Sequence, residues 1–481
     1  MPVTVVLGLG RSGLGAARLL ARQGANVLVL ESGEGPEHQR KAEGLRAEGI
    51  AVELGKPLTP DSFEPLLATC ERVIVSPGIR WDHPTLEWLR DQGIPTNGEI
   101  STAWEASQPT PWIGITGTNG KTTVTHLVAH LLEQGGLDAP MCGNVGHSAA
   151  ELALERFQDG QTPPQALVVE LSSYQIESAP ELAPAIGLWT TLTPDHLERH
   201  GTLENYRAIK RGLLERSAIP VLNADDPDLC AHAASWSNVR WTTAESREAA
   251  LGKGIDPWLW IEGDQVMHSS GALLAADALA MPGAHNRQNM VMAVAVGLEL
   301  GLSGPSMEAA LRAFPGVPHR LELIRNLNGV AWINDSKATN YDAAEVALRA
   351  VEGPLVALAG GEAKQGDAGA WIAALQRKAK AVVLFGAAQS HFQALLHAGG
   401  YDGVIECCDD LGAAVAAAQR LSQGGDCRAV LLSPACASFD QYRDFEARGE
   451  HFRSLAGNLT SSNQAARTQA IEYEEKFPTE N

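Results

Sequence analysis

The sequence predicts three α/β domains, each built on a mostly parallel sheet, and three observations carry that expectation. Short apolar runs alternate with amphipathic stretches along nearly the whole chain, the rhythm of strands connected by helices. Two proline-bearing breaks, Ser107-Gln-Pro-Thr-Pro111 and Phe314-Pro-Gly-Val-Pro318, interrupt that rhythm. The length of 481 residues suggests about three domains at roughly 150 residues each.

The elements follow in order. A first, Rossmann-like unit over 1–108 opens with a buried strand at 3–8, a helix at 12–23 and a strand at 26–30, with a further strand at 72–76. A central unit over 109–316 begins with a strand at 112–115 and a helix at 121–134. It continues with strands at 166–169, 185–190 and 219–222 and closes on a helix near 285–300. The third unit, 317–458 and again Rossmann-like, places strands near 330–333, 355–359, 381–385 and 429–432 between alanine-rich helices. The polar remainder, 459–481, is expected to be a mobile tail with little part in catalysis.

Composition removes several classes of function. With 37 Lys and Arg against 57 Asp and Glu, the net charge is −20, so a phosphate backbone would be repelled and general nucleic-acid binding is not expected. A small anion in a locally positive pocket remains compatible. No apolar run reaches the ~18 residues of a membrane helix, and the start of the chain lacks the basic region of a secretory signal. The seven cysteines include no Cys-x-x-Cys pair, so neither a disulfide framework nor a zinc ribbon is expected, and the compartment reads as reducing cytoplasm.

Two loops carry the chemistry. Gly8-Leu-Gly10-Arg-Ser-Gly13 follows a strand and opens a helix, and Glu31 ends the next strand where dinucleotide folds place a ribose-binding acid. That spacing is compatible with an NAD site, with another diphosphate such as the UDP of a nucleotide sugar, or with a tight turn holding no ligand. Gly114-Ile-Thr-Gly117-Thr-Asn-Gly120-Lys121-Thr122-Thr123 is more specific. Its amides can surround phosphates, Lys121 can reach the β- and γ-phosphates, and the Thr122 hydroxyl can ligate Mg²⁺. This loop points to an ATP-dependent enzyme. Taken alone, Glu170 reads either as a Mg²⁺ carboxylate or as a helix-start charge, Asp195 as a helix N-cap beside an exposed His196, and Lys210 as a solvated helix lysine.

The combination resembles the Mur ligase family, the ATP-dependent amino-acid-adding enzymes of peptidoglycan precursor synthesis, over nearly the whole chain to about Phe452. The resemblance rests on the loop 117–123, Glu170 in Glu-Leu-Ser-Ser-Tyr-Gln-Ile-Glu177, Asp195-His196, Tyr206 with Lys210, and His285-Asn286-Arg-Gln-Asn289. It also rests on Pro318-His319-Arg320 and Trp332-Ile-Asn-Asp335-Ser-Lys-Ala-Thr-Asn340. With Leu432-Ser-Pro-Ala-Cys-Ala-Ser-Phe-Asp-Gln441, the last motif looks most like the D-glutamate-adding member.

The resemblance implies a set of roles. Gly117, Thr118, Asn119, Gly120, Lys121, Thr122 and Thr123 would hold ATP phosphates. Asn286 and Asn289 would lie at adenine, and Arg320 and Asp335 at the nucleotide's phosphate and ribose. Two Mg²⁺ are implied, one on Thr122 and Glu170, the other on His196 and a carbamylated Lys210. The UDP-N-acetylmuramoyl-L-alanine acceptor would meet Gly8, Ser12, Gly13, Glu31, Ser32, Ser76, Gly78 and Asn97, with Asn144, Ser172 and His196 at the muramoyl end. Gly33 stands where some relatives carry a basic side chain. D-glutamate would meet Lys337, Thr339, Lys364, Ser438, Phe439 and Phe445, whereas residue type alone makes Lys364 a loop lysine and Ser438 a cap. Closure of the third domain on substrate, and action as a monomer, are further expectations. The competing readings are a folylpolyglutamate-synthase-like ligase, an NAD-dependent oxidoreductase built on the first loop, and a nucleotide-binding regulator without turnover.

Overall fold

The computed structural model describes residues 2–459 other than Asp159, Pro282, Lys364, Gln365 and Gly424. The expected amino-acid contact Lys364, and the expected tail beyond Leu459, therefore lie outside the described residues. Contacts divide the chain into two compact units, Met1–Phe314 and Pro315–Asn481.

The first unit carries two sheets. One has five parallel strands in the order Ala51–Glu53, Val27–Leu30, Val3–Leu7, Cys70–Val75, Thr96–Gly98. Val27 to Leu30 are all buried, because a parallel sheet is covered on both faces and its strands must be apolar throughout. Helix Arg11–Arg22 follows the first strand and starts one residue before the expected position.

The other sheet has nine strands. Its parallel centre orders Ile219–Asn223, Ile186–Trp189, Trp112–Thr116, Leu167–Glu170 and Met141–Gly143 side by side. Helices Lys121–Gln134 and Ala284–Glu299 pack together on one face over Ile113, Ile115 and Val168. Helices Arg11–Arg22, Glu99–Ser107 and Ala149–Arg156 pack against one another, sharing a core with Trp112 and Trp189. The two sheets of this unit are thus joined through a common helical layer. A β-carbon on Gly15 would lie 2.9 Å from Ser148 Oγ, so glycine there permits the close approach of the first helix to the third. The sequence reading did not anticipate the antiparallel edge Leu259–Glu262, Gln265–His268 and Gly271–Ala275. Its strands are short and only partly buried, so they lack the continuous apolar runs that mark the central strands.

The second unit holds a six-stranded sheet, ordered Glu322–Leu327, Val330–Asn334, Ala429–Leu432, Leu355–Gly360, Ala379–Phe385, Val404–Cys408. Its first pair is antiparallel and the rest are parallel. Three mostly parallel α/β sheets are the architecture expected. Among the described residues no helix is long and apolar enough to cross a membrane.

Candidate active site

The phosphate loop joins strand Trp112–Thr116 to helix Lys121–Gln134. Gly117 has φ of 147° and Gly120 φ of 83°. A β-carbon on Gly117 would lie 2.0 Å from Thr190 Oγ1, and one on Gly120 would lie 2.7 Å from Asn289 Oδ1. Only glycine lets the loop turn this tightly between its neighbours. Lys121 Nζ donates to the carbonyls of Gly117 and Thr118 at 2.8 and 2.9 Å, which folds the ammonium over the loop. The loop is backed by the 190–193 segment: Thr118 N donates to Thr191 O at 2.8 Å and Asn119 N to Thr191 Oγ1 at 2.9 Å. Thr122 is buried in the first turn of the helix.

The neighbouring strands deliver the other groups to the same carboxyl edge, where open α/β sheets bind ligands. Glu170 is the last residue of its strand, paired with Ile115 and Gly143, and is buried. It is not a helix-start charge. Its Oε1 accepts from Asn144 Nδ2 at 3.1 Å, and its Oε2 is buried with no hydrogen-bond partner. A carboxylate oxygen left unpaired beside a phosphate loop suits a divalent cation, whose charge would offset the cost of burial.

Lys210, on helix Leu203–Arg216, corrects the expectation of a solvated lysine: it is 1% exposed. Its Nζ donates to Thr116 Oγ1 at 3.2 Å and to Gly117 O at 3.0 Å. Burial, and then the positive charge of Lys121, hold its ammonium well below the usual lysine range. Its surroundings thereby favour the neutral form of the amine against the phosphate loop. His196 is exposed, as expected, but the cap assigned to Asp195 is not there. It takes the N-cap position of helix Leu197–His200 with φ of 53°, so Asp195 is not the cap. Asp195 Oδ1 instead accepts from His196 N at 2.9 Å. The Tyr174 hydroxyl and His196 Nδ1 are hydrogen-bonded at 3.1 Å.

The glycine loop is built differently. Gly13 packs so closely that its β-carbon would lie 2.2 Å from Gly8 O. Glu31 holds the loop: its carboxylate accepts from Leu9 N and Gly33 N, both at 2.8 Å. Burial works against the Glu31 charge, yet these amides, with His38 and Ser32, leave the carboxyl below its ordinary range. Ser76 Oγ donates to Leu7 O at 2.6 Å and backs the loop. A cavity of about 190 Å³ opens beside it, with apolar walls from Leu30, Leu58 and Phe63 and polar groups from Glu31, Ser32 and Lys56. Gly8 lines this cavity, whereas Gly78 and Asn97 do not. Asn144 is bonded to Glu170, and Ser172 caps helix Ser173–Glu177 through a reciprocal capping box with Gln175. Asn289 and Asn286, on helix Ala284–Glu299, are buried, and Asn289 packs on Gly120.

In the second unit, Arg320 sits between two left-handed residues, His319 and Leu321, at φ of 61° and 45°. Its Nε is buried without a partner. Asp335 accepts from Leu321 N at 3.2 Å and from Ser433 Oγ at 3.0 Å. Burial pushes its carboxyl up to about 7, against the pull of Ser433, Leu321 and Arg320. Lys337 N donates to His319 O at 3.1 Å, and Lys337 Nζ lies 5.6 Å from the Phe445 ring. Ser438 is buried and closes a turn through its carbonyl to Tyr442 N at 2.8 Å, so it is not a helix cap. Phe439 is 69% exposed, and Thr339 is half-buried.

Family models match most of the chain: a Mur ligase MurD-like N-terminal domain over residues 3–98, a Mur ligase middle domain over 115–297 and a Mur ligase glutamate ligase domain over 319–436. The UDP-N-acetylmuramoylalanine–D-glutamate ligase of Prochlorococcus marinus (strain MIT 9313) is 56% identical over 462 residues, 96% of this chain and 100% of that protein. The chain belongs to the Mur ligase family. The enzyme of the same name from Synechococcus sp. (strain CC9605) is 56% identical over 95% of this chain and 99% of its own length. Among solved structures, the UDP-N-acetylmuramate–alanine ligase of Thermotoga maritima superposes with a TM-score of 0.58 at 19% identity, covering 95% of this chain and 99% of its own. Mycobacterium tuberculosis folylpolyglutamate synthase, complexed with ADP, gives 0.54 at 16% identity, covering 76% of this chain and 94% of its own. Both likenesses concern the fold.

Several residues of this Mur ligase escaped the sequence reading. Arg448 is wholly buried, and its guanidinium donates to the carbonyls of Ser336, Cys436 and Ala437 and to Ser336 Oγ. It thereby ties together the two loops that carry Lys337 and Ser438. Burial pushes it down to about 10. Lys56 lines the cavity with Glu31 and Ser32 and brings it a basic side chain, which Gly33 does not supply. Tyr174 and Glu99 likewise carried no local signal, because each lies in an ordinary helical context.

Proposed function

We propose that this Mur ligase joins D-glutamate to UDP-N-acetylmuramoyl-L-alanine at the expense of ATP, in the assembly of peptidoglycan precursors. The observation that carries this reading is the meeting of Lys121, Thr122, Glu170 and Lys210 at one phosphate loop on the carboxyl edge of adjacent strands. A carboxylate does not acylate an amine at neutral pH, so it must first be activated. An alanyl carboxylate oxygen attacks the γ-phosphorus of ATP, and ADP leaves. The D-glutamate amine then attacks the carbonyl carbon of the acyl phosphate, loses a proton, and the tetrahedral intermediate expels phosphate. Lys121 would stabilise charge on the transferred group.

Thr122 and Glu170 would hold one Mg²⁺, and Lys210, as its carbamate, would hold a second with His196. Bound magnesium would neutralise phosphate charge during transfer. Carbamylation requires a neutral amine, the form that burial of Lys210 favours: its lone pair adds to carbon dioxide and a proton is released, turning the amine into an anionic donor. The orphaned Glu170 Oε2 supports the first site. In the second unit, Arg320 and Asp335 are assigned to ATP, and Lys337, Thr339, Ser438, Phe439 and Phe445 to D-glutamate, with Lys364 retained from the sequence reading. Arg320 Nε, buried and unbonded, is available to an anion.

The acceptor's UDP end is assigned to the cavity beside Glu31 and Ser32, whose apolar walls suit a base. We place the domain boundaries at 1–108, 109–316 and 317–458, supported by the three family matches, and take the enzyme to be a monomer of the bacterial cytoplasm. The test is ADP and phosphate release with the acceptor and each of D-glutamate, L-glutamate, L-alanine and meso-diaminopimelate. Turnover with D-glutamate alone among these is expected; phosphate release indifferent to D-glutamate refutes the assignment.

A further inference from the structure

Glu99 is the first residue of helix Glu99–Ser107 and is 2% exposed. It lies in the helical layer between the two sheets of the first unit, and none of the steps above uses it. Its Oε1 accepts from Gln175 Nε2 at 3.1 Å. Its Oε2 is buried and makes no hydrogen bond. The Ser12 hydroxyl of the glycine loop sits beside this carboxyl and favours its charge without closing a bond to Oε2. Gln175 is otherwise committed, its Oε1 accepting from Ser172 N and from Ser172 Oγ, both at 3.1 Å. Hydrogen bonds therefore run from Glu99 through Gln175 to Ser172, with the Ser12 hydroxyl beside their first member. The backbone reinforces it. Gly98 N donates to Ser178 O at 2.7 Å, and a β-carbon on Gly98 would lie 2.1 Å from Ser178 Oγ. Helix Ser173–Glu177 is thus held at its start by the Glu99 side chain and at its end by the Gly98 backbone.

We propose that Glu99 is a positioning residue that couples the two ends of the acceptor site and takes up a proton when the acceptor's diphosphate binds at the glycine loop. This rests on the assignment of Ser12 and Ser172 to the acceptor. The physical reason lies in what each form of the carboxyl asks of Ser12. An anionic Glu99 draws the Ser12 hydrogen towards itself and sets a second negative charge behind the diphosphate. A neutral Glu99 can donate from Oε2 to Ser12 Oγ, which frees the Ser12 hydrogen for a phosphate oxygen. The charged or titratable groups facing Glu99 are Arg11 on helix Arg11–Arg22, Glu151 on helix Ala149–Arg156 and the Cys142 thiol on strand Met141–Gly143. Arg11 favours the anion and Glu151 opposes it. Burial outweighs the bonds from Gln175 and Ser12 and raises the carboxyl to about 7, so the exchange falls in an accessible range.

The experiment uses the full chain with UDP-N-acetylmuramoyl-L-alanine, whose diphosphate diester does not itself titrate near neutrality. Calorimetry at pH 7.5 in two buffers of different ionisation enthalpy measures proton uptake by the wild type. Steady-state assays from pH 6.5 to 9 give the acceptor and ATP KM values for wild type, Glu99→Gln and Glu99→Ala. Net proton uptake is expected. The wild-type acceptor KM should rise roughly tenfold across that range, as like-charge repulsion grows, while the ATP KM stays within about twofold. Glu99→Gln, a permanently neutral mimic, should flatten the acceptor profile. Glu99→Ala should raise the acceptor KM at every pH, because Gln175 loses its partner. No proton uptake, or an unchanged pH slope in Glu99→Gln, overturns the inference and leaves the proposed activity standing. A wild type that binds no acceptor overturns the activity itself. Calorimetry on the wild type decides the matter even where a variant folds poorly.

Discussion

The glycine loop at 8–13 and the phosphate loop at 117–121 start from the same backbone device, a strand that turns through glycines into a helix whose amides face outward. Their surroundings separate them. Behind the phosphate loop stand a buried amine at Lys210, a buried carboxylate at Glu170 and the Lys121 ammonium. At the glycine loop Glu31 is taken up by two backbone amides, and no lysine enters the loop itself. One loop keeps charge under tension and is suited to moving a phosphoryl group. The other has spent the Glu31 charge on holding its own shape and is suited to gripping a ligand. A glycine-rich turn therefore states that an anion can approach, and the buried groups behind it decide what happens to that anion.

The sharpest way to break this contrast is Lys121→Ala. Loss of the only lysine in the phosphate loop should lower kcat by roughly 10³-fold, with the fold intact by circular dichroism; a variant forming the peptide bond at wild-type speed would abolish the distinction. Next in size is Lys210→Arg. Guanidinium stays charged and takes up no carbon dioxide, so turnover should fall about 10²-fold, read by phosphate release. Normal turnover would leave Lys210 a structural tether to Thr116 and Gly117.

On the other loop, Glu31→Ala removes two charge-assisted bonds that shape the turn. The acceptor KM should rise roughly tenfold, with kcat within about twofold; a change confined to kcat would mean the glycine loop takes part in chemistry. The smallest effect is one of stability. The Glu99 carboxyl is raised from 4.5 to about 7 in the folded protein, so the folded state keeps its proton longer than the unfolded chain. Its contribution is most favourable below pH 4.5, declines as pH rises to about 7 and is least favourable above that. Glu99→Gln should therefore gain on the wild type at pH 8, by at most about 3 kcal/mol, and lose that advantage as the pH falls towards 4.5. Thermal melting at the two pH values checks the sign.

What was legible in the sequence follows from where the information lies. The strand at 112–116 and the helix at 121–134 were readable because apolar run, glycines and amphipathic period agree locally, and Lys121–Gln134 matches its expected span. The phosphate-loop residues were readable for the same reason. The burial of Lys210 was not, since a lysine on a helix looks solvated until the loop it folds against is in place. Glu99 and Arg448 were invisible because their partners lie 76 residues away at Gln175 and 112 away at Ser336. The antiparallel edges were missed because short, half-exposed strands carry little pattern. Long-range polar partners are set by the tertiary fold, and a single chain read in order does not display them.

The tight seating of Gly15 on Ser148 has one last consequence. With the first helix pressed against the one that follows Asn144, the proposed nucleotide grip and the proposed place where an acid is energised would stand a set span apart, like the jaws of a caliper. An acceptor whose arm between pyrophosphate and carboxyl is a few bonds too long or too short would be held firmly and never react, so length itself becomes a criterion of selection.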